Sequence, residues 1–290
     1  MAEIAVANGE MTTLERLVLD VCLADDTSVS RCFEVLVHHG GADPNALVRM
    51  RHDLIALLSL VAARTDQSQS DIPAAWTTRL QGAMALEVAR AKAFDDIVGP
   101  ILRNPDMHKL EPIVTRGAAI AAAAYPDGFY RHTSHFSFLI ASPDMYQAAT
   151  ASITTTGCTL EHEAQSRLLF RHSSGMPVFV FGGKPCNRLR DFSYQSIRPA
   201  AQNATVAGTA AMIPSASALW TDLVYSAHVY DDVVDAQWMV DAVWVARRFP
   251  HVLDGSDDHH QDSRITLPYD MYADYVGGLL NRQTSTPTLA

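Results

Sequence analysis

A change of hydrophobic period along the chain limits what it can fold into more than any other feature. Apolar residues recur at three- and four-residue steps over residues 1–109, at two-residue steps through the middle, and at helical steps again beyond residue 200. A 3.6-residue period belongs to helices and a two-residue period to strands, whose side chains alternate between faces. The pattern predicts a helical N-terminal region (1–109), a sheet-bearing core (110–200) and a helical C-terminal region (201–290). At 290 residues with 48% hydrophobic types, the chain is long enough to bury a substantial core.

In the first region Thr12 or Thr13 caps a helix through LERLVLDVCLA, with Glu15 placed for a capping box. RCFEVLVHH reads as a second helix ended by Gly40 and Gly41, and ALVRMRHDLIALLSLVAART as a third. The stretch from Ala74 to Asn104 reads as one long helix that Pro100 kinks or ends. His38, His39 and His52 read as solvated, with no assigned role.

The middle begins with a short β-branched run and an alanine-rich helix that Pro126 and Gly128 stop. RHTSHFSFLIA then alternates, with Phe136, Phe138 and Ile140 on one face and His135, Ser137 and Leu139 on the other. Ser142, Pro143 and Asp144 start a helix that Gly157 ends. TLEHEAQSRLLFRH and MPVFVFGG read as two strands joined at Ser173, Ser174 and Gly175, which gives a mixed sheet of four or five strands. The last third reads as helices over SASALWTDLVYSAHVY, DDVVDAQWMVDAVWVARRF and YADYVGGLLNR. Tyr225, His228, Trp238 and Trp244 are assigned to the core.

A net charge of −10, from 22 basic and 32 acidic residues, argues against nucleic-acid binding, which needs a basic footprint. No segment is apolar for long enough to span a bilayer, and the acids in MAEIAVANGEMTTLERL do not fit a secretion signal, so a cytoplasmic location is expected. Cys22, Cys32, Cys158 and Cys186 lack metal or CxxC spacing and read as reduced thiols. The four consecutive residues Asp257 to His260 read as a solvated loop, and Gly182-Gly183-Lys184 lacks P-loop spacing.

Arg116-Gly117-Ala118-Ala119, Tyr125-Pro126-Asp127, Arg131, the strand His135 to Ile140, Pro143-Asp144 and Gly157-Cys158 follow one another in this order. With the later helices that carry His228, Trp238 and Asp241, this series over residues 110–249 resembles an uncharacterised nucleotidyltransferase family of the polymerase-beta-like superfamily. The resemblance implies an α+β fold: a nucleotidyltransferase-like mixed sheet flanked by N-terminal and C-terminal helical regions. In that family three carboxylates clamp two divalent cations that bridge a nucleotide's phosphates. Two of those acids fall at His135 and Ser137 and the third at Phe179. A serine and a phenylalanine do not hold magnesium, and one imidazole is a poor ligand for it, so no metal and no cofactor are expected.

Polar residues persist around those positions beside Arg131 and His132, which predicts a retained cleft. His135 and Glu163 are the candidate acid–base pair, and Arg116, Arg131, Ser137 and Glu161 the candidate substrate-binding residues. The expected function is metal-independent acid–base catalysis on a small, phosphorylated or carboxylated substrate. Condensation or cyclisation of the Pictet–Spengler kind, in specialised metabolism such as antibiotic biosynthesis, is one example. The alternatives are a catalytically dead nucleotide-binding pseudoenzyme and an active nucleotidyltransferase with replaced ligands. Charged residues facing solvent on an edge strand would account for Glu161 and Glu163 equally well.

Overall fold

The computed structural model describes residues 5–6, 11–40, 50, 52–65, 72–184, 192–229, 233–254 and 263–284. A two-residue strand β1 (Ala5–Val6) is followed by helices α1 (Thr13–Leu23), α2 (Val29–Gly40), α3 (His52–Ile55), α4 (Leu58–Arg64), α5 (Ala74–Arg103) and α6 (Pro105–His108). The middle holds β2 (Ile113–Val114), α7 (Arg116–Ala124), β3 (Phe136–Ile140), α8 (Tyr146–Thr154), β4 (Cys158–Ala164), β5 (Arg167–His172), β6 (Pro177–Gly182) and α9 (Tyr194–Ile197). Then come β7 (Gln202–Val206), β8 (Thr209–Ile213), α10 (Ala216–Val229), β9 (Val233–Val234), α11 (Ala236–Arg248) and α12 (Ser263–Thr284). The fold class is α+β, a mixed sheet set among helices.

The N-terminal cap forms as the sequence predicts: Glu15 N–H donates to Thr12 Oγ1, and Thr12 N–H donates to Glu15 Oε2 at 2.8 Å. The expected third helix is two short ones, α3 and α4, and its upstream part lies outside the described residues. Pro100 does not end α5; the helix runs on to Arg103. Near a C-terminus the missing N–H removes a single bond, and the actual stop is Asn104, whose side chain caps α6 with Pro105 at its first position.

The main sheet has seven strands in the order β4-β5-β6-β3-β2-β8-β7. Strand β3 runs parallel to β6 and antiparallel to β2, and β2 runs parallel to β8. Two hairpins account for the excess over four or five strands. TLEHEAQSRLLFRH is not one strand but the pair β4–β5, turned at Gln165 and Ser166, a dipeptide without the glycine or asparagine that marks a tight turn. The pair β7–β8 turns at Ala207 and Gly208, both at positive φ, and extends the sheet to Ile213, beyond the expected limit at residue 200.

As the alternation predicts, Phe136, Phe138 and Ile140 enter the main core with Val178, Val180, Ile101 of α5 and Ala149 of α8. Leu139, Ile113 and Phe181 form a second cluster on the other face with Phe192, Tyr194 and Ile197 of the α9 segment.

The helices close around one ion pair. Asp241 on α11 is 2% exposed and takes Arg131 Nε at 2.9 Å and Nη2 at 2.7 Å. Tyr125 Oη and Gln237 Nε2 donate to the same carboxylate at 2.8 and 3.0 Å. Asp241 is therefore a buried hub. Tyr125 stacks on Trp244 at 4.8 Å, and the Arg64 guanidinium covers that indole. Arg64 and Arg247 donate to the carbonyls of Val21, Cys22, Leu23 and Ala24, the unsatisfied end of α1.

A Cβ on Gly117 would overlap Arg131 Nη1. Gly117→Ala forces the guanidinium to shift and, by pushing it off Asp241, should lower stability by about 3 kcal/mol or more, read from the urea midpoint. A midpoint unchanged from the parent would show that Arg131 yields without losing its partner.

Candidate functional site

The residues at the polar end of β3 do not all stay open to a ligand. Ser137 is 1% exposed; its hydroxyl meets Thr115 Oγ1 at 3.2 Å and donates to Thr115 O at 3.3 Å. It ties β3 to the residue that precedes α7 and does not face a substrate. Phe179 is its register partner on β6, where the resemblance places the third acid.

His135 is half-buried, edge-on to Phe179 with ring centroids 5.7 Å apart. Burial, then the nearby Arg116 and Arg131 cations, push its pKa down to about 4, so the imidazole is neutral near pH 7. Arg116 opens α7 at a φ of 56° and lays its guanidinium over Phe181 at 5.0 Å. Its Nε is buried without a hydrogen-bond partner among the described residues. Its backbone N–H is held by Asp222, a buried acid of α10 whose pKa burial raises against the pull of Arg116. Asp222 caps α7 from a different helix, a pairing that no local spacing reveals.

Arg131 is not available as an anion anchor. Its Nε and Nη2 are on Asp241, and Nη1 donates to the His132 carbonyl at 3.0 Å. The couple of His135 and Glu163 does not form either. Glu163 opposes Leu168, which opposes Val180, which opposes Phe138. It therefore lies three strands from β3, about 14 Å, and on the opposite face from Ser137. Glu161 sits at a bulge of β4, an edge strand, and pairs with Arg171 at 2.6 Å in solvent. Charges on an exposed edge account for both acids.

A cavity of about 540 Å³ lies beside His135, walled by α4, α5, residues 131–135 and the start of α11. Arg79, Glu87, Arg90, His132 and His135 line it. Glu87 is 3% exposed, with its carboxylate oxygens 3.1 and 3.0 Å from His132 Nδ1. Sequence reasoning passed over this acid, although Trp76, Leu80 and Glu87 share one stripe of α5 and only Glu87 is charged.

Cys22, Cys32 and Cys158 are free, and burial pushes the Cys22 thiol up to about 12, far from a thiolate nucleophile. The side chains of Tyr225 and His228, the segment Asp257 to His260 and Cys186 lie outside the described residues. Trp238 is buried and donates to Leu223 O, while Trp244 is partly buried under Arg64. No described helix is long and apolar enough to cross a membrane.

No protein-family model matches the chain, and no curated protein matches its sequence. Among solved structures it is similar to the antibiotic-resistance factor ANT(2'')-Ia, in solution and in a crystal complex with adenylyl-2''-tobramycin. Each superposes with a TM-score of 0.43 at 12% identity over 67% of this chain and 98% of the other. An antigenic nucleotidyltransferase-like protein from Paracoccidioides brasiliensis superposes with a TM-score of 0.42 at 11% identity, over 69% of this chain and 94% of that one. At these identities and scores the likeness assigns no activity.

The environment of His135 sets a pH dependence. Its pKa is near 4 folded and near the ordinary 6.5 unfolded, so between those values only the unfolded chain takes up the proton. Stability should therefore fall as pH drops from about 6.5 to about 4, by about 1–3 kcal/mol. His135→Gln should flatten that decline in urea titrations across the window. An NMR titration of the ring with a midpoint near the ordinary value would contradict the assignment.

Proposed function

We propose that the chain is a small-molecule enzyme in which a nucleotidyltransferase-like scaffold performs metal-independent acid–base chemistry. The observation that carries this reading is the end of β3. There the positions of the expected metal-binding acids hold a neutral imidazole at His135 and a buried hydroxyl at Ser137, opposite Phe179. Hard divalent cations need anionic oxygen ligands, and this set offers none. A neutral imidazole at a cavity wall suits polarising a reacting oxygen or nitrogen, and the Arg116 guanidinium on the same sheet face suits a carboxylate or phosphate.

Condensation or ring closure fits such a set. In an amine–aldehyde condensation the nitrogen attacks the carbonyl carbon and water leaves after protonation. Ring closure onto the iminium then ends with loss of a ring proton to a base. No oxidant, reductant or metal enters the balance.

The test is a thermal-shift panel of small carboxylates, phosphates, amines and amino acids, run with and without a chelator. Stabilisation that survives chelation is expected. With the substrate found, His135→Ala should lower turnover by roughly 10²–10⁴-fold, and Arg116→Gln should mainly raise KM. Magnesium-dependent incorporation of labelled nucleotide would overturn the reading. Metal-free nucleotide affinity without turnover would make the chain a pseudoenzyme.

A further inference from the structure

The cavity beside His135 contains a second imidazole better built for catalysis than the first. His132 is fixed twice: Arg131 Nη1 donates to its carbonyl at 3.0 Å, and Glu87 takes its Nδ1 at 3.0 Å. Glu87 is rooted in α5 with its side chain 4% exposed, while the His132 side chain keeps 29% of its surface. The ring is thus anchored from the buried side and open toward the cavity. A carboxylate on Nδ1 places the proton there and leaves Nε2 as the basic nitrogen, which has no hydrogen-bond partner among the described residues. His135 has no such carboxylate; its Nδ1 meets only the Ser134 hydroxyl at 3.4 Å.

The same cavity contains a guanidinium with an unsatisfied donor. Arg79 lines it from α5, and its Nε is buried with no hydrogen-bond partner among the described residues. Eight residues of helix separate Arg79 from Glu87, about 12 Å along the axis. Two turns of one helix therefore present a guanidinium and, through Glu87, a held imidazole to one space. A volume of about 540 Å³ falls in the range that small-molecule sites occupy.

We propose that this cavity binds a small organic anion, with His132 as the general base, Glu87 as the residue that positions it and Arg79 as the anchor of the anionic group. The proposal rests on the acid–base reading above and assigns the base of that chemistry to His132, beside the neutral His135 in the same lining. In the step, Nε2 takes a proton from an O–H, N–H or activated C–H of the substrate. The bonding electron pair stays on the substrate, and the imidazolium shares its charge with Glu87. The proton returns to the leaving group or product, so no co-reactant is required. The other charged or titratable groups lining the space are Arg90, Arg131, His135 and Asp235. Arg131 is neutralised by Asp241, and Arg90 reaches Glu87 Oε2 at 3.4 Å.

The anionic group is either a carboxylate or a phosphate, and the experiment separates the two. The full chain is titrated calorimetrically with succinate and with inorganic phosphate, and the tautomer of each histidine is read from nitrogen NMR at mildly alkaline pH. The expected result is a His132 ring protonated on Nδ1, with nitrogen signals that move when the tighter-binding anion is added. Arg79→Gln should weaken that anion by roughly tenfold or more while leaving the tautomer in place. Glu87→Gln should weaken the tautomer preference at His132 and leave His162, exposed on β4, unchanged. If Glu87→Gln does not fold, the parent tautomer and the Arg79→Gln affinity decide the matter without it. A ring protonated on Nε2, or anion binding that neither His132 nor Arg79 senses, overturns the assignment and leaves the broader function standing. A parent chain indifferent to both anions and to the whole thermal-shift panel overturns both.

Discussion

A guanidinium and a carboxylate moved together out of water lose more hydration than their mutual attraction restores, unless their remaining donors and acceptors are also used. The pair of Arg131 and Asp241 meets that condition. Two guanidinium nitrogens go to the carboxylate, a third goes to a backbone carbonyl, and Tyr125 and Gln237 supply further donors to Asp241. Burial alone would weaken the charge on Arg131, yet Asp241 holds its pKa above the ordinary value. The hub uses the space that a glycine at 117 leaves, because Nη1 lies where a side chain would begin. It also requires the α7–β3 connection to pass close to α11, which brings residues 132–135 to the cavity. Removing either partner would leave a buried charge unpaired, so the arrangement holds as a unit.

Much of the fold is legible in the residues, and the reasons are local. The cap at Thr12 and the alternation of β3 are contained within a few consecutive positions, and both form as read. The two hairpins were missed for opposite reasons. Gln165 and Ser166 carry no turn signature, whereas Ala207 and Gly208 do, within a stretch whose alanines resemble a helix. The split of the third helix into α3 and α4 is likewise invisible in an unbroken apolar pattern.

The candidate site was less legible because it is assembled from distant segments. Glu163 and His135 both look like lining residues, but only strand order shows that two strands separate β4 from β3, and only register shows that they face opposite sides. Arg131 reads as an anion anchor until its partner, 110 residues away, is in place. Glu87 did leave a trace, a carboxylate on an apolar stripe. Such a residue must be paired in the interior or repelled from it, and pairing it requires a partner from elsewhere in the chain.

The two imidazoles of residues 131–135 differ in what faces them, and the difference follows from the hub. Arg131 holds the His132 carbonyl, where the backbone between the two rings begins. His135 is turned toward Phe179 and the cations Arg116 and Arg131, an environment that keeps a ring neutral. His132 is turned toward Glu87, an environment that accommodates the positive charge a base acquires. Sites that run proton chemistry near pH 7 place titratable groups in contrasting surroundings, so that one donates or polarises while the other accepts. The loop achieves that contrast with two identical side chains, because one faces guanidiniums and the other a buried carboxylate.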